Sequence, residues 1–148
     1  AHVVLATRPD TMPTHQGEVS FPGGGVHPGD ASPRDAALRE AEEEIGLPPA
    51  AVEVVAELDT LATVGSRFTI TPFVGLVDPL PRLVPHPGEV VKILEVPLSE
   101  LLEDDAFHEE FWGSPDRAIS FFELPGETVW GATARVLVAF LAHLTASL

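Results

Sequence analysis

Three glutamates in the first third of the chain are spaced so that they could act together. Glu40, Glu43 and Glu44 belong to the run EAEEE, and residues at i, i+3 and i+4 share one face of a helix. Carboxylates that converge repel one another unless a cation compensates them. Oxygen ligands of this type suit a hard divalent cation such as Mg²⁺. A bare acidic run is more often a solvated helix face, so the surrounding residues must decide between the two interpretations.

The helix that carries these glutamates has recognisable ends. Ser32 is a favourable N-cap, Asp35 lies three residues after it, and a proline occupies the first helical position. Gly46 suits the C-terminal cap, and two prolines follow shortly after it. The sequence therefore predicts a helix over about Pro33–Ile45. Its apolar face is formed by Leu38, Ala41 and Ile45, on a different side from the three glutamates.

Other segments have the composition of strands. They are HVVLATR (2–8), EVSFPGG (18–24), AVEVVAELDTLAT (51–63), RFTITPFVGLV (67–77), EVVKILEVPL (89–98) and RAISFFEL (117–124). A short helix is expected near SELLED. A terminal helix is expected from Thr128, with an apolar stripe of Trp130, Ala134, Leu137, Leu141 and Leu144. These elements predict one α/β domain over residues 1–148, with a mixed β-sheet between helices. Because the chain starts inside a strand-like segment, we expect its N-terminus to be incomplete.

Composition limits the classes of partner. The formal net charge is −15 and the pI is about 4.5, which argues against binding nucleic acid through its phosphates. No apolar run approaches the roughly 20 residues that a membrane span needs, so we expect no membrane partner. Cysteine is absent, which rules out disulfides and thiolate metal sites and is typical of a cytoplasmic protein. An anionic substrate would require a divalent cation or careful use of the few cationic side chains.

The stretch from the glycines to the end of the helix resembles the Nudix box, G-x5-E-x7-R-E-U-x-E-E-x-G-U with U aliphatic. REAEEEIGL, from Arg39 to Leu47, matches every specified position of the second half if Ala41 counts as the small apolar residue. Gly24 aligns with the first glycine. The first acidic position falls on Asp30, with one inserted residue before the helix, whereas counting back from Arg39 places Ala31 there. We prefer Asp30.

This resemblance implies a fold, a cofactor and residue roles. The family has an α/β/α sandwich fold, and its hydrolases use Mg²⁺ or Mn²⁺ to cleave a diphosphate linked to another moiety. By resemblance, the metal ligands are Glu40, Glu43, Glu44 and the carbonyl oxygen of Gly24. Arg39 would steer a neighbouring carboxylate through a salt bridge. The general base is expected to be Glu43 first and Glu89 second, Glu89 being alternatively an extra metal ligand or a plain turn residue.

The segment before the Nudix box indicates one branch of the family. LATRPDTMPTHQGEVSFPGG, residues 5–24, resembles the extra motif of coenzyme A pyrophosphatases, although Pro13 stands where that motif has a second arginine. The resemblance implies cleavage of coenzyme A or acyl-coenzyme A into 3′,5′-ADP and 4′-phosphopantetheine or its acyl derivative. Candidate substrate contacts are Arg8, His15, Phe21 and Arg67. The two arginines have a plain alternative as surface residues in ion pairs.

Three other functions remain as alternatives. The first is a Nudix hydrolase for ADP-ribose or another nucleoside diphosphate derivative. The second is a Nudix domain that binds a ligand without turnover, and the third is a plain acidic structural domain. Three mutually repelling glutamates disfavour the second, and the glycine loop disfavours the third. We expect a small-molecule substrate and allow for a homodimer. Trp130 and Phe140 are interpreted as packing residues of the last helix rather than as a nucleobase stack.

Overall fold

A computed structural model describes residues 1–9, 18–63, 68–113 and 115–146. The predictions for His15, Arg67 and Pro13 lie outside these ranges. The strands are β1 His2–Thr7, β2 Val19–Ser20, β3 Glu53–Glu57, β4 Leu61–Ala62, β5 Thr69–Ile70, β6 Phe73–Leu76, β7 Lys92–Pro97, β8 Phe107–Phe111, β9 Ala118–Leu124 and β10 Glu127–Trp130. The helices are α1 Pro33–Ile45, α2 Leu98–Leu101 and α3 Gly131–Ala146, with a 3₁₀ turn at Pro49–Ala51.

The strands form small sheets that lie next to one another. β1 is the central strand of a three-stranded sheet ordered β2-β1-β7, and β9 is central in the order β10-β9-β8. β3 pairs with β6, β4 pairs with β5, and β10 lies against β2. All the pairings among the described residues are antiparallel. The α/β class is confirmed, but a parallel pair of the expected mixed sheet is not among these pairings. Strand composition does not specify the crossover that a parallel pair needs.

Two apolar clusters cover the two faces of β1. Leu5 is fully buried in a cluster that includes Val19, Val129 and Leu137, on the side of α3. The next residue, Ala6, is buried in a second cluster with residues of α1. Successive side chains of a strand point to opposite faces, so β1 is covered on both sides, by α3 and by α1. This is the helix–sheet–helix layering that the resemblance implied.

Helix α1 has the bounds and caps that its sequence predicts. The Ser32 Oγ accepts a hydrogen bond from the Asp35 N–H at 3.1 Å. Gly46 has a φ of 69°, and its N–H donates to the Glu42 carbonyl at 3.0 Å. Ala36, Ala41 and Ile45 are buried, whereas Glu42 is exposed. The caps and the apolar face therefore fix both the length and the rotation of the helix that carries the acidic residues.

The C-terminal part of the chain differs from its prediction. The last helix begins at Gly131, not at Thr128, because Glu127–Trp130 forms β10 in a hairpin with β9. Gly126 (φ 80°) forms the turn and Gly131 (φ 68°) ends the strand, and both conformations favour glycine. Trp130 is therefore a strand residue rather than part of the helical stripe. β8 was not predicted at all. No described helix combines the length and the apolar character that a membrane crossing requires.

Candidate active site

Arg39 ties the loop before α1 to the helix itself. Its Nε donates to Asp30 Oδ1 at 2.8 Å and its Nη2 donates to Asp30 Oδ2 at 3.0 Å. The Nη2 also donates to the Gly25 carbonyl at 3.2 Å. The Arg39 hydrogen bonds, followed by one from the His27 N–H, lower the pKa of Asp30 to about 2. Asp30 therefore acts as the acidic partner of Arg39 despite the extra residue between them.

The other side of the guanidinium holds two glutamates of the acidic run. Arg39 Nη1 lies 2.9 Å from Glu40 Oε1 and 3.1 Å from Glu43 Oε2. The Glu43 side chain is 52% exposed, whereas that of Glu40 is 13% exposed. We call Asp30, Arg39, Glu40 and Glu43 the arginine network. The steering role expected of Arg39 thus extends to three carboxylates.

Glu40 also lies directly against the glycine loop. A Cβ atom on Gly24 would stand 2.7 Å from the carboxyl carbon of Glu40 and 3.0 Å from its Oε1. A Cβ on the neighbouring Gly25 would meet nothing within 4 Å. Glycine at position 24 therefore lets the loop backbone approach this carboxylate closely, whereas a larger residue would displace the flexible end of Glu40.

Glu44 is the buried member of the acidic run. The residue is only 5% exposed, and its Oε2 accepts a hydrogen bond from the Gly23 N–H at 2.9 Å. Burial raises the pKa of Glu44 to about 7. The Gly23 hydrogen bond and the charge of Arg8 lower this pKa, while the carboxylates of Glu40 and Glu89 raise it further. Four charged side chains therefore influence one another at the end of β1. They are Glu44, Glu40, Glu89 and Arg8.

Glu89 reaches this place because its loop is fixed at both ends. The Val84 and His86 N–H groups donate to the carbonyls of Ile45 and Glu44 at 2.9 and 2.8 Å. These bonds satisfy carbonyls that would be unpaired at the end of α1. On the other side, the Val91 N–H donates to the Thr7 carbonyl at 2.9 Å.

The Glu89 side chain is partly buried, and its Oε2 is shielded from solvent. Among the described residues, its buried Oε2 accepts no hydrogen bond. Burying a carboxylate oxygen without a hydrogen-bond donor lowers the stability of the fold. Such a group is therefore a candidate for a functional role. We call Glu44 and Glu89 the buried acids.

The structure separates the three glutamates that the spacing brings to one helix face. In the part of the chain that is described, no three acidic or histidine side chains stand close enough to hold a metal ion. Arg39 attracts Glu40 and Glu43, whereas the Gly23 N–H holds Glu44 on the inner side of the helix. The expected convergence is therefore not present as a preformed cluster. The ligand roles of Glu40, Glu43, Glu44 and Gly24 stay predictions.

The remaining predicted residues fall into two groups. Arg8 follows β1 and is close enough to Glu44 to lower its pKa, so it stands at the site. Phe21 is half buried and packs against the α3-side core, and its contact with substrate stays a prediction. Gly23 was matched only as part of a motif, and its N–H bond to Glu44 was not foreseen. The pairing of a small loop residue with a helix acid 21 positions later carries no local signal.

The donors present fit a hard divalent cation by their chemistry. Glu40 and Glu44 lie beside the Gly23–Gly24 loop, and the buried Oε2 of Glu89 accepts no bond from another described residue. These are carboxylate oxygens, which Mg²⁺ and Mn²⁺ prefer to nitrogen or sulfur. A cation would also relieve the repulsion between Glu40, Glu44 and Glu89.

Comparison with known proteins agrees with this fold. The NUDIX domain family matches residues 1–115. The uncharacterized Nudix hydrolase NudL of Photorhabdus laumondii is 38% identical over 137 residues, covering 91% of this chain and 73% of the relative. Nudix hydrolase 22, chloroplastic, of Arabidopsis thaliana is 38% identical over 144 residues, covering 92% of this chain. The chain spans only 47% of that plant protein.

A solved structure supports the fold. The crystal structure of a C. elegans Ap4A hydrolase binary complex has a TM-score of 0.55 and 18% identity, and the match covers 66% of this chain and 70% of that chain. At this identity the likeness shows the fold alone. The family match and the relatives together carry the assignment. The chain belongs to the Nudix family, whose hydrolases generally use divalent metal ions and act on pyrophosphate-containing substrates.

Proposed function

We propose that this Nudix hydrolase cleaves the diphosphate of coenzyme A or acyl-coenzyme A. The products would be 3′,5′-ADP and 4′-phosphopantetheine or its acyl derivative, and the cofactor would be Mg²⁺ or Mn²⁺. The observation that carries the proposal is the burial of Glu44 against the glycine loop, with Glu40, Glu89 and Arg8 around it. Without a cation, these neighbouring carboxylates lower the stability of the fold. We take this cost as the sign of a functional site.

In this proposal Glu40, Glu44 and the Gly24 carbonyl hold the cation. When bound, a divalent cation neutralises diphosphate charge and makes water a better nucleophile at neutral pH. The chain's own part is to fix these donors: Gly24 admits the Glu40 carboxylate, and the Gly23 N–H orients Glu44. Arg8 supplies a positive charge for a substrate phosphate at the same end of β1.

The contacts favour Glu89 over Glu43 as the base that takes a proton from the attacking water. Glu43 is half exposed and its Oε2 is paired with Arg39, so its negative charge is already compensated. The Glu89 Oε2 accepts no bond from another described residue, and this carboxylate acts on Glu44 through its charge. A base must lie within hydrogen-bond reach of the water it activates, and Glu89 is a partly buried residue close enough to Glu44 to raise its pKa.

The choice of coenzyme A rests on the resemblance of residues 5–24 to the coenzyme A pyrophosphatase motif. The structure lends support because Arg8 and the Gly23–Gly24 loop of that motif both lie at Glu44. ADP-ribose or another nucleoside diphosphate derivative is the second candidate. The replacement of the motif's second arginine by Pro13 favours it, since that position lacks a cation for an additional phosphate.

A product assay with Mg²⁺ or Mn²⁺ tests the proposal. Coenzyme A, acetyl-coenzyme A, ADP-ribose, NADH and dinucleoside polyphosphates are offered separately, and products are separated by chromatography. We expect 3′,5′-ADP and 4′-phosphopantetheine from coenzyme A, with the highest kcat/KM of the set. A higher kcat/KM for ADP-ribose would replace coenzyme A by the second candidate. Turnover of none of these diphosphates would indicate a ligand-binding Nudix domain.

Paired variants test the base. Glu89→Gln is expected to lower kcat with little change in stability, whereas Glu43→Gln is expected to lower it less. The loss for a general base is roughly 10²- to 10⁴-fold. A larger loss in Glu43→Gln than in Glu89→Gln would return the role to Glu43. Thermal unfolding of both variants serves as the control for folding.

A further inference from the structure

Glu89 lies on a single turn of chain that begins at His86. The His86 carbonyl accepts hydrogen bonds from the Glu89 N–H at 3.0 Å and from the Val90 N–H at 2.9 Å. Bonds of this spacing form one helical turn that is not continued. Val90 is 2% exposed and packs in the cluster with residues of α1. The turn is therefore closed at its start by His86 and anchored in the core at its end.

The side chain of His86 completes the start of this turn. Its Nδ1 accepts a hydrogen bond from the Gly88 N–H at 3.3 Å. Asn and Asp side chains stabilise turns and helix starts by accepting from an N–H two residues later in the same way. Because Nδ1 accepts this bond, it carries no proton, and a neutral imidazole then has its proton on Nε2.

Every backbone donor of the turn ends on His86. Pro87 has no N–H to donate. The next three N–H groups, of Gly88, Glu89 and Val90, donate to the Nδ1 or the carbonyl oxygen of His86. The conformation of the turn therefore depends on this one residue more than on any other in the loop.

His86 also joins the turn to the other buried acid. Its own N–H donates to the Glu44 carbonyl at 2.8 Å. One residue therefore connects the backbone of Glu44 to the turn that carries Glu89. The Glu89 Oε2 accepts no hydrogen bond from another described residue, so the place of this oxygen is determined by the backbone turn rather than by a side-chain partner.

We propose that His86 is a positioning residue, which fixes the Glu89 carboxylate beside Glu44 through the turn that its ring and carbonyl close. This inference rests on the proposed function, in which Glu89 takes a proton from the attacking water. A general base must be within hydrogen-bond reach of that water. A carboxylate on a loosened turn occupies this position for a smaller fraction of the time, so the rate falls although the base itself is present.

Two substitutions at His86 separate the acceptor from the ring. His86→Ala removes the acceptor, whereas His86→Asn offers an amide oxygen to the same Gly88 N–H. The ring is exposed, so neither variant should unfold the protein, and thermal unfolding checks this. On the diphosphate that the wild type cleaves best, we expect kcat to fall roughly three- to tenfold in His86→Ala, as for the loss of a capping side chain. His86→Asn should restore kcat to within about twofold of the wild type, and KM should stay within roughly twofold in both.

The matched control is Val84→Ala. Val84 belongs to the same loop, its side chain is exposed, and its N–H also bonds to the end of α1. Removal of this side chain leaves the backbone bonds in place, so kcat should equal that of the wild type. An equal loss in Val84→Ala and His86→Ala, or a loss in His86→Asn as large as in His86→Ala, would overturn the inference.

A double variant shows whether His86 acts through Glu89. If it does, adding His86→Ala to Glu89→Gln changes kcat by no more than roughly twofold, because the group that His86 positions is already absent. A further three- to tenfold loss would mean that His86 acts on another part of the enzyme. That result would overturn the inference and leave the proposed function intact.

Amide hydrogen exchange tests the turn without any turnover. The protein is measured by NMR without metal or substrate, and the Glu89 and Val90 amides are followed. We expect exchange roughly three- to tenfold faster in His86→Ala and at the wild-type rate in His86→Asn, since loss of the cap lowers the cost of local opening. Unchanged exchange in His86→Ala would overturn the inference even in an enzyme that cleaves coenzyme A. Faster exchange in a protein that cleaves no diphosphate would retain His86 as the residue that holds Glu89 and would remove the proposed function.

Discussion

The arginine network and the buried acids hold carboxylates of one site in opposite situations. Asp30, Glu40 and Glu43 each have a hydrogen bond to Arg39, so their charges are compensated. Glu44 has one backbone N–H donor, and burial raises its pKa to about 7. Its charged neighbours include Glu40 and Glu89, which oppose ionisation, and Arg8, which favours it.

The difference indicates which carboxylates serve the fold and which serve the chemistry. A compensated network joins the loop to the helix and can be justified by stability alone. Buried acids that repel each other reduce stability, so their presence points to a ligand that compensates them. Glu40 is the member of the arginine network that also lies against Gly24.

The largest effect is expected from removing the charge of Glu44. Glu44→Gln keeps an oxygen for the Gly23 N–H but loses the carboxylate. We expect activity to fall by more than roughly 100-fold, since even residues that only support a metal ligand contribute 10- to 100-fold. The free energy of unfolding without metal should be equal to or higher than that of the wild type. Glu42→Gln is the control, because Glu42 is exposed on the same helix, and it should be fully active.

Gly24→Ala is expected to come next. The new Cβ would stand 2.7 Å from the carboxyl carbon of Glu40, so the flexible glutamate must move. We expect kcat/KM to fall roughly tenfold, an ordinary loss for a disturbed positioning contact, with little change in Tm. Gly25→Ala is the matched control, because its Cβ meets nothing within 4 Å. If both variants keep wild-type activity, the close approach of loop and carboxylate has no functional role.

Changes at Arg39 should act on stability more than those at the buried acids. Arg39→Ala leaves the Asp30 side chain, which is 6% exposed, without its bidentate partner. We expect Tm to fall by several degrees and activity to fall with it. Arg39→Lys should restore only part of the loss, because an ammonium cannot match the two oxygens of Asp30 as a guanidinium does. If Arg39→Ala has the same Tm as the wild type, the network does not stabilise the fold.

The smallest effect concerns pH. The folded pKa of Asp30, about 2, lies below the ordinary aspartate value of 3.8. An acid with a depressed folded pKa adds stability that is fully present above its unfolded pKa and is lost as pH falls through the folded pKa. Asp30→Asn should therefore be less stable than the wild type at pH 5 to 7, and the two should converge between about pH 4 and pH 2. A constant difference down to pH 2, measured by chemical unfolding, would contradict this.

Local signals account for what could be predicted. Ser32, Gly46 and the apolar spacing of α1 specify that helix and its ends within a few residues of chain. Asp30 could be chosen as the acidic loop residue by counting from Gly24, but its pairing with Arg39 appears only in the structure. The docking of His86 on the end of α1 joins segments about 40 residues apart, and nothing near either residue in the sequence signals it.

Trp130 shows how a local pattern misleads. Its spacing to the apolar residues of α3 is helical, yet the pairing with β9 and the left-handed Gly131 keep it in a strand. The three glutamates show the same limit at the site. Their spacing correctly places them on one helix, but Arg39 and Gly23 decide where each carboxylate points. Hydrogen-bond partners, rather than spacing, separate the compensated from the buried acids.

Binding of Mn²⁺, followed by electron paramagnetic resonance in the absence of substrate, tests the central claim most directly. The wild type, Glu44→Gln and Glu42→Gln are compared at one pH. If Glu44 is a ligand of the cation, Glu42→Gln binds Mn²⁺ like the wild type and Glu44→Gln binds it at least roughly tenfold more weakly. Equal affinity in all three proteins would contradict the assignment of Glu44 as a ligand and with it the functional reason for its burial.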